Sequence, residues 1–224
     1  VVAALPRTFQ DAVTIHEPAT LATDLLLAVL GGGLAWRLRK RVAADNRAAL
    51  WWCGALWAMA LSALVGGLYH GFAPNFHAAV DGVWWRLVLA LICGMGLTMA
   101  VSLVHEVAPG GRWWMRGVGA KFVLSLFAVM IWPDFRVAMA DYGLAMLAWV
   151  FASLVLRRKW SAWMLLGVGL SAVAGWVQQS GWGLTPGFNH NDVFHVIQAL
   201  ALLGFYRAGC RLGGSGAAYH RSDQ

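Results

Sequence analysis

The stretch GVWWRLVLALICGMGLTMAVSLV, residues 82–104, decides the fold. It contains a single charged side chain, Arg86. A helix of ~20 mostly apolar residues is long enough to cross the hydrocarbon core of a bilayer. A surface helix of a soluble domain keeps a polar face, and this stretch has none. Outward from it, six further segments read the same way: Pro18–Trp36, Ala49–Tyr69, Met115–Trp132, Val137–Leu156, Trp160–Val177 and Val193–Ala208. Runs that are apolar all round, with short connections, fit helices. Barrel strands would alternate over about ten residues instead. Between the fourth and fifth runs stand only Pro133, Asp134, Phe135 and Arg136, a tight hairpin with Asp134 placed to cap the helix after it. Over the 224 residues, 60% are hydrophobic and 12% charged, against roughly 25% charged in a soluble domain. Mean hydropathy is +0.62. The predicted architecture is all-α: a polytopic membrane protein, with residues 1–224 forming one seven-helix transmembrane domain. No repeat or linker is visible.

The basic residues predict sidedness. Arg37, Arg39, Lys40, Arg41 and Arg47 separate runs one and two. Arg112 and Arg116 follow run three, Arg157, Arg158 and Lys159 follow run five, and Arg207, Arg211 and Arg221 follow run seven. The opposite set of connections holds Arg7 and Arg136. Cytoplasmic loops are enriched in Lys and Arg, so the N-terminus is expected outside and the C-terminus in the cytoplasm. The same bias accounts for the net charge of +7 without a nucleic-acid partner. The expected location is a bacterial inner (plasma) membrane, with membrane lipid and other membrane-protein subunits as partners. Trp51, Trp52, Trp84, Trp85, Trp113, Trp114 and Trp182 lie near run ends and read as interfacial anchors. Lys121, inside run four, is expected to snorkel towards the cytoplasmic interface. Three scattered cysteines (Cys53, Cys93 and Cys210) form no CxxC and suggest neither a disulfide framework nor a thiolate zinc site.

Ionisable groups at membrane depth are costly and mark functional sites. Here they gather at the predicted outer ends: Glu17 before run one and Asp24 inside it, His70 ending run two, Asp81 before run three, and His190, Asn191, Asp192 and His195 opening run seven. Asn191 and His195 are four residues apart and share a helical face. His190 is turned about 140° from His195 on a regular helix. Gln198 lies one turn below His195, within reach of an imidazole or a bound molecule. Asp24 and Asp141 are expected to be satisfied by neighbouring helices.

These residues resemble the CREST superfamily, which includes alkaline ceramidases and the progestin and adiponectin receptor group. Its second helix ends in a Ser four residues before a His, an Asp follows at the third helix, and the last helix carries HxxxH. His70 in GGLYHGF, Asp81 in AAVDGVWW and His195 in NHNDVFHVIQALALLGFYRAG match three of those positions. The resemblance implies a zinc ion held by imidazoles, with Asp81 as a catalytic residue at the metal-bound water. His70 and His195 would be metal ligands, and His190 or Asp81 could supply the third. Glu17, Asn191 and Gln198 would support the site. Gly66 stands where the family has Ser, and Asn191 where it has the first His of HxxxH. An Asn side chain is a poor zinc ligand beside imidazole.

Two functions follow. One is a non-catalytic, receptor-like or accessory subunit of a membrane assembly, with a degenerate metal motif. The other is a zinc-dependent intramembrane hydrolase of a lipid amide or ester, its metal lowering the pKa of a bound water to ≈ 7. Run seven holds no Lys for a retinal Schiff base. No helix carries two histidines near opposite faces for a two-haem wire, and the repeat symmetry of a secondary transporter is missing.

Overall fold

The computed structural model describes residues 13–213. Arg7, His220, Arg221 and the rest of both ends lie outside the described residues. Seven α-helices follow in order: α1 Pro18–Arg41, α2 Arg47–Phe72, α3 Ala78–Val107, α4 Arg112–Ile131, α5 Phe135–Leu156, α6 Ser161–Ser180 and α7 His190–Gly209, with a short 3-10 turn at Ala73–Asn75. Six of them, α1 to α6, are long and apolar enough to cross a membrane. In hydrocarbon a helix satisfies its backbone groups internally, which is why each apolar run closes into one. Most helices extend a turn past the predicted runs because polar residues cap them. Asn46 accepts from Ala49 N at α2, the His77 ring accepts from Ala79 N at α3, and Asp134 accepts from Arg136 N at α5, as its position predicts. At α7, Asn189 and Asp192 form a capping box, so the helix begins at His190 and gains a turn of polar residues.

Six helices close a ring: α1 packs against α2 and α7, α2 against α3, α3 against α5, α5 against α6, and α6 against α7. The fourth helix docks outside the ring on α3 and α5. Val129 is its one buried residue, whereas Val123, Leu124 and Phe127 are exposed. Small residues set the closest approaches, as in other helix pairs without a hydrophobic driving force. A Cβ on Gly67 would come 2.6 Å from Asp24 Cβ between α1 and α2, and one on Gly204 would come 3.0 Å from Gly167 N between α6 and α7.

The basic ends of the helices are sealed. Trp52, Trp149 and Trp160 are fully buried and meet edge to face, with centroids 5.1 Å and 5.2 Å apart. Their indole N–H groups donate to Phe205 O, Met99 O and Glu106 Oε1. Glu106 also accepts from Arg158 Nη1 at 2.8 Å and from Gly213 N at 2.8 Å, binding three connections together. Trp52 is therefore core rather than an interfacial anchor: its ring faces the bundle axis, which proximity to a run end does not reveal. Lys121 does not snorkel either. Its Nζ lies 2.7 Å from Asp141 Oδ1 and donates to Asp141 O at 3.0 Å, because Asp141 is buried on α5 and needs a counter-charge at that depth.

Candidate ligand-binding site at the histidine end

The seal at the basic end leaves a chamber of about 280 Å³ in the other half of the ring. Its deeper wall is apolar, with Leu27, Leu56, Val88, Ile92 and four methionines, Met59, Met95, Met99 and Met146. Unbranched thioether side chains adapt to irregular apolar shapes. The polar wall carries Asp24, His70, Gln178, His190, Asn191, His195 and Gln198.

Each polar group has a positioning element. His195 lies a turn inside α7, only 7% exposed, and faces α1. Its Nδ1 is 3.0 Å from Thr23 Oγ1 and its Nε2 is 3.2 Å from Asp24 Oδ1. Thr23 and Asp24 are consecutive, so their side chains diverge by about 100° around α1, and the imidazole sits between them. The Thr23 hydroxyl also lies near Ala19 O and Thr20 O, both at helix-return distance. If it donates to a carbonyl, it accepts from Nδ1–H; if it donates to Nδ1, then Nε2 carries hydrogen. With the hydrogen on Nδ1, a proton between Nε2 and Asp24 Oδ1 has to come from the carboxyl, which then donates to Nε2; with the hydrogen on Nε2, the imidazole donates to the carboxylate. Both ring nitrogens of His195 are thus committed to α1.

His70, at the end of α2, reaches Glu17 Oε2 at 3.4 Å through Nδ1, and Thr20 Oγ1 donates to the same oxygen at 3.1 Å. A second imidazole–carboxylate pair therefore ties α2 to the start of α1. The chain before α1 is drawn in as well, since His16 N donates to Gly71 O. Gln198 is held by α6: Ser171 Oγ donates to its Oε1 at 2.9 Å.

The structure brings His70, His190, Asn191, His195 and Gln198 to one chamber. His190 lines it as the first residue of α7, directly after the Asn189 cap. Asp81 stands elsewhere. It lines a second, more open cavity of about 410 Å³ with Glu17, Tyr69, His70 and Phe76. The turn Ala73–Asn75 and the His77 cap place Asp81 in the first turn of α3, where it lines this second cavity and not the chamber. The sequence reading did not single out Thr23, because a Thr in an apolar helix carries no signal without its partner 172 residues away.

These side chains do not fit zinc as they stand. Among the described residues, no three His, Cys, Asp or Glu side chains are grouped as a metal ion would need. Asn191 offers no imidazole, and a metal at His195 Nε2 would have to displace the proton shared with Asp24. Gly66 supplies no hydroxyl where the CREST pattern has Ser; a Cβ there would lie 3.9 Å from Asp24 Oδ2. What the arrangement provides is a polar rim with a buried proton-sharing pair above an apolar pit.

No curated protein and no solved structure matches the chain. Residues 19–213, which hold every helix but the first residue of α1 and every residue of the chamber, match a family of unknown function, DUF6962. The chain belongs to that family.

Proposed function

We propose that this is a receptor-like or accessory seven-helix membrane protein that holds an amphipathic molecule in the chamber without hydrolysing it. The observation that carries this reading is the engagement of both His195 ring nitrogens by Thr23 and Asp24. A ligand imidazole needs a free lone pair, and a general base needs one facing its substrate. His195 offers neither while it bridges α7 to α1. The polar rim and apolar pit suit a molecule with a small polar head and an apolar body.

In this reading α7 is a seventh span, its polar first turn facing the chamber mouth. The histidine end faces outside, and the basic end faces the cytoplasm. Membrane lipid surrounds the bundle, and other membrane subunits are its partners. The degenerate CREST motif is then a fold retained after loss of the metal set. Zinc-dependent hydrolysis of a lipid amide or ester would require His70 and His195 to be released from their carboxylates and a third ligand to join them.

Zinc titration of purified native protein and of Asn191→His, each followed by assay on a lipid amide and a lipid ester, tests this. Asn191→His restores imidazoles at i and i+4, a spacing that chelates one ion. It is expected to bind zinc at least about tenfold more tightly than the native chain, as one added imidazole ligand would allow. Native protein is expected to hydrolyse neither substrate. Zinc-dependent turnover by the native chain would replace this reading with the hydrolase.

A further inference from the structure

At the basic end, α6 and α7 cross closely at Gly167 and Gly204, which brings the first turn of α6 under the last turn of α7. Trp163 lies there with two arginines over its ring. The guanidinium carbons of Arg207 and Arg211 are each 5.4 Å from the indole centroid. They are therefore no further apart than twice that distance. Arg211 Nη1 donates to Arg207 O at 2.8 Å, which fixes the second side chain back along the helix towards the first. On the neighbouring helix, Arg41 lies 5.9 Å from the Tyr206 ring.

Among the described residues, none of these three arginines has a carboxylate within 4.0 Å. From Leu25 to Arg41 on α1, throughout α6 and from Val193 onward on α7 there is no Asp or Glu. The nearby buried carboxylate, Glu106, is already bonded to Arg158, Trp160 and Gly213. An aromatic face orients a guanidinium but does not neutralise it. Two such forks over one ring leave donors for an anion with several acceptor oxygens, and phosphate is the group that guanidinium geometry fits.

The surface beside the arginines indicates where that phosphate comes from. Val196, Leu200, Leu203 and Arg207 fall at i, i+4, i+7 and i+11 on α7, one continuous stripe, and Arg211 follows in the turn after the helix. Val196, Leu200 and Leu203 are exposed, as is Leu166 one turn along α6 from Trp163. An apolar track thus leads directly to the paired forks, matching an acyl chain with its phosphate at headgroup depth. Free phosphate would use the forks and leave the track.

We propose that Arg207 and Arg211, stacked on Trp163, bind the phosphate of an anionic phospholipid whose acyl chain lies along Leu203, Leu200 and Leu166. Arg41 adds charge at the rim. The site is separate from the chamber and does not depend on what the chamber holds.

Native mass spectrometry of detergent-purified protein, incubated with equal phosphatidylglycerol and phosphatidylcholine, tests the assignment. The native chain is expected to retain phosphatidylglycerol preferentially. Arg207→Gln with Arg211→Gln should lower that retention by about fivefold or more, the loss of two charge-assisted contacts. The control is Arg116→Gln, the single guanidinium over the Trp113 ring on α4 at 4.7 Å, which should leave retention unchanged. Replacing both arginines of the pair by Lys keeps the charge, guards against misfolding, and should give intermediate retention because the forks are lost. Equal retention of the two lipids, or full retention by the double Gln variant, would overturn the proposal. So would displacement of the lipid by excess inorganic phosphate, which would make this a free-anion site.

Discussion

Asp24 illustrates how one residue organises a site. It is 4% exposed on an apolar helix, where an unpaired charge is expensive, and it answers that cost by sharing a proton with His195. Gly67 makes room for it: any Cβ there would collide with Asp24 Cβ. Asp141 meets the same problem differently. It pairs with Lys121, and its Oδ2 presses against Gly96, where a Cβ could not fit. Removing one partner of a buried pair strands the other charge, whereas removing both is far milder. Lys121→Met should therefore destabilise the protein by about 3–5 kcal/mol, and Lys121→Met with Asp141→Leu should recover most of that loss. Thermal unfolding in detergent, scored as a double-mutant cycle, checks it; additive losses would show that the pair does not act as a pair.

At the scale of the element, apolar length makes the helices legible in sequence. Arg86 alone interrupts the run at 82–104, and α3 forms around it, with Arg86 Nε donating to Met130 O across the gap to α4. What sequence could not convey is which face of a helix looks inward. Trp51 and Trp52 are adjacent, yet one is 40% exposed and the other 1%. The peripheral position of α4 is equally silent, since a helix in lipid and a helix in the ring are both apolar all round. α7 begins a turn before its apolar run because its capping box is polar, the turn that this shortest run needs to reach across. Capping also yields a pH prediction at α5. Arg136 beside the exposed Asp134 holds its carboxyl down at about 2, below the usual carboxylate range. A depressed folded-state pKa stabilises above the unfolded value, about 3.9, and that stabilisation is lost as pH falls towards 2. Asp134→Asn keeps an oxygen for the cap and removes the charge. The Tm difference between the two proteins should stay constant from about pH 7 to 5, shrink as pH falls through about 4, and vanish only at about pH 2 and below. A difference that persists at low pH would assign the effect to the cap rather than the charge.

At the scale of the whole molecule, a ring sealed at one end by three tryptophans and Glu106 is open at the other, where the histidines are. The residues of the chamber were legible as a cluster at one end of the bundle because costly groups shared one depth. Asp24 was among them, but its pairing with His195 was not legible, nor was Thr23, since both meet His195 only after the ring closes. The proposed sidedness rests on the basic end, and thiol labelling checks it. Cys210 is exposed at that end, while Cys53 and Cys93 are buried. In sealed cells Cys210 should stay unlabelled until permeabilisation. A Cys introduced at Asn75 or Pro186, in a background lacking Cys210, should react at once. The reverse pattern would turn the chamber to the cytoplasm. The central claim is that His195 serves α1 and not a metal. Its most direct test is the zinc content of native protein, purified without chelator and exchanged at neutral pH, with His70→Ala and His195→Ala measured alongside. The account predicts zinc well below one ion per chain and no change in either variant. One tightly held ion per chain, lost in both variants, would contradict it.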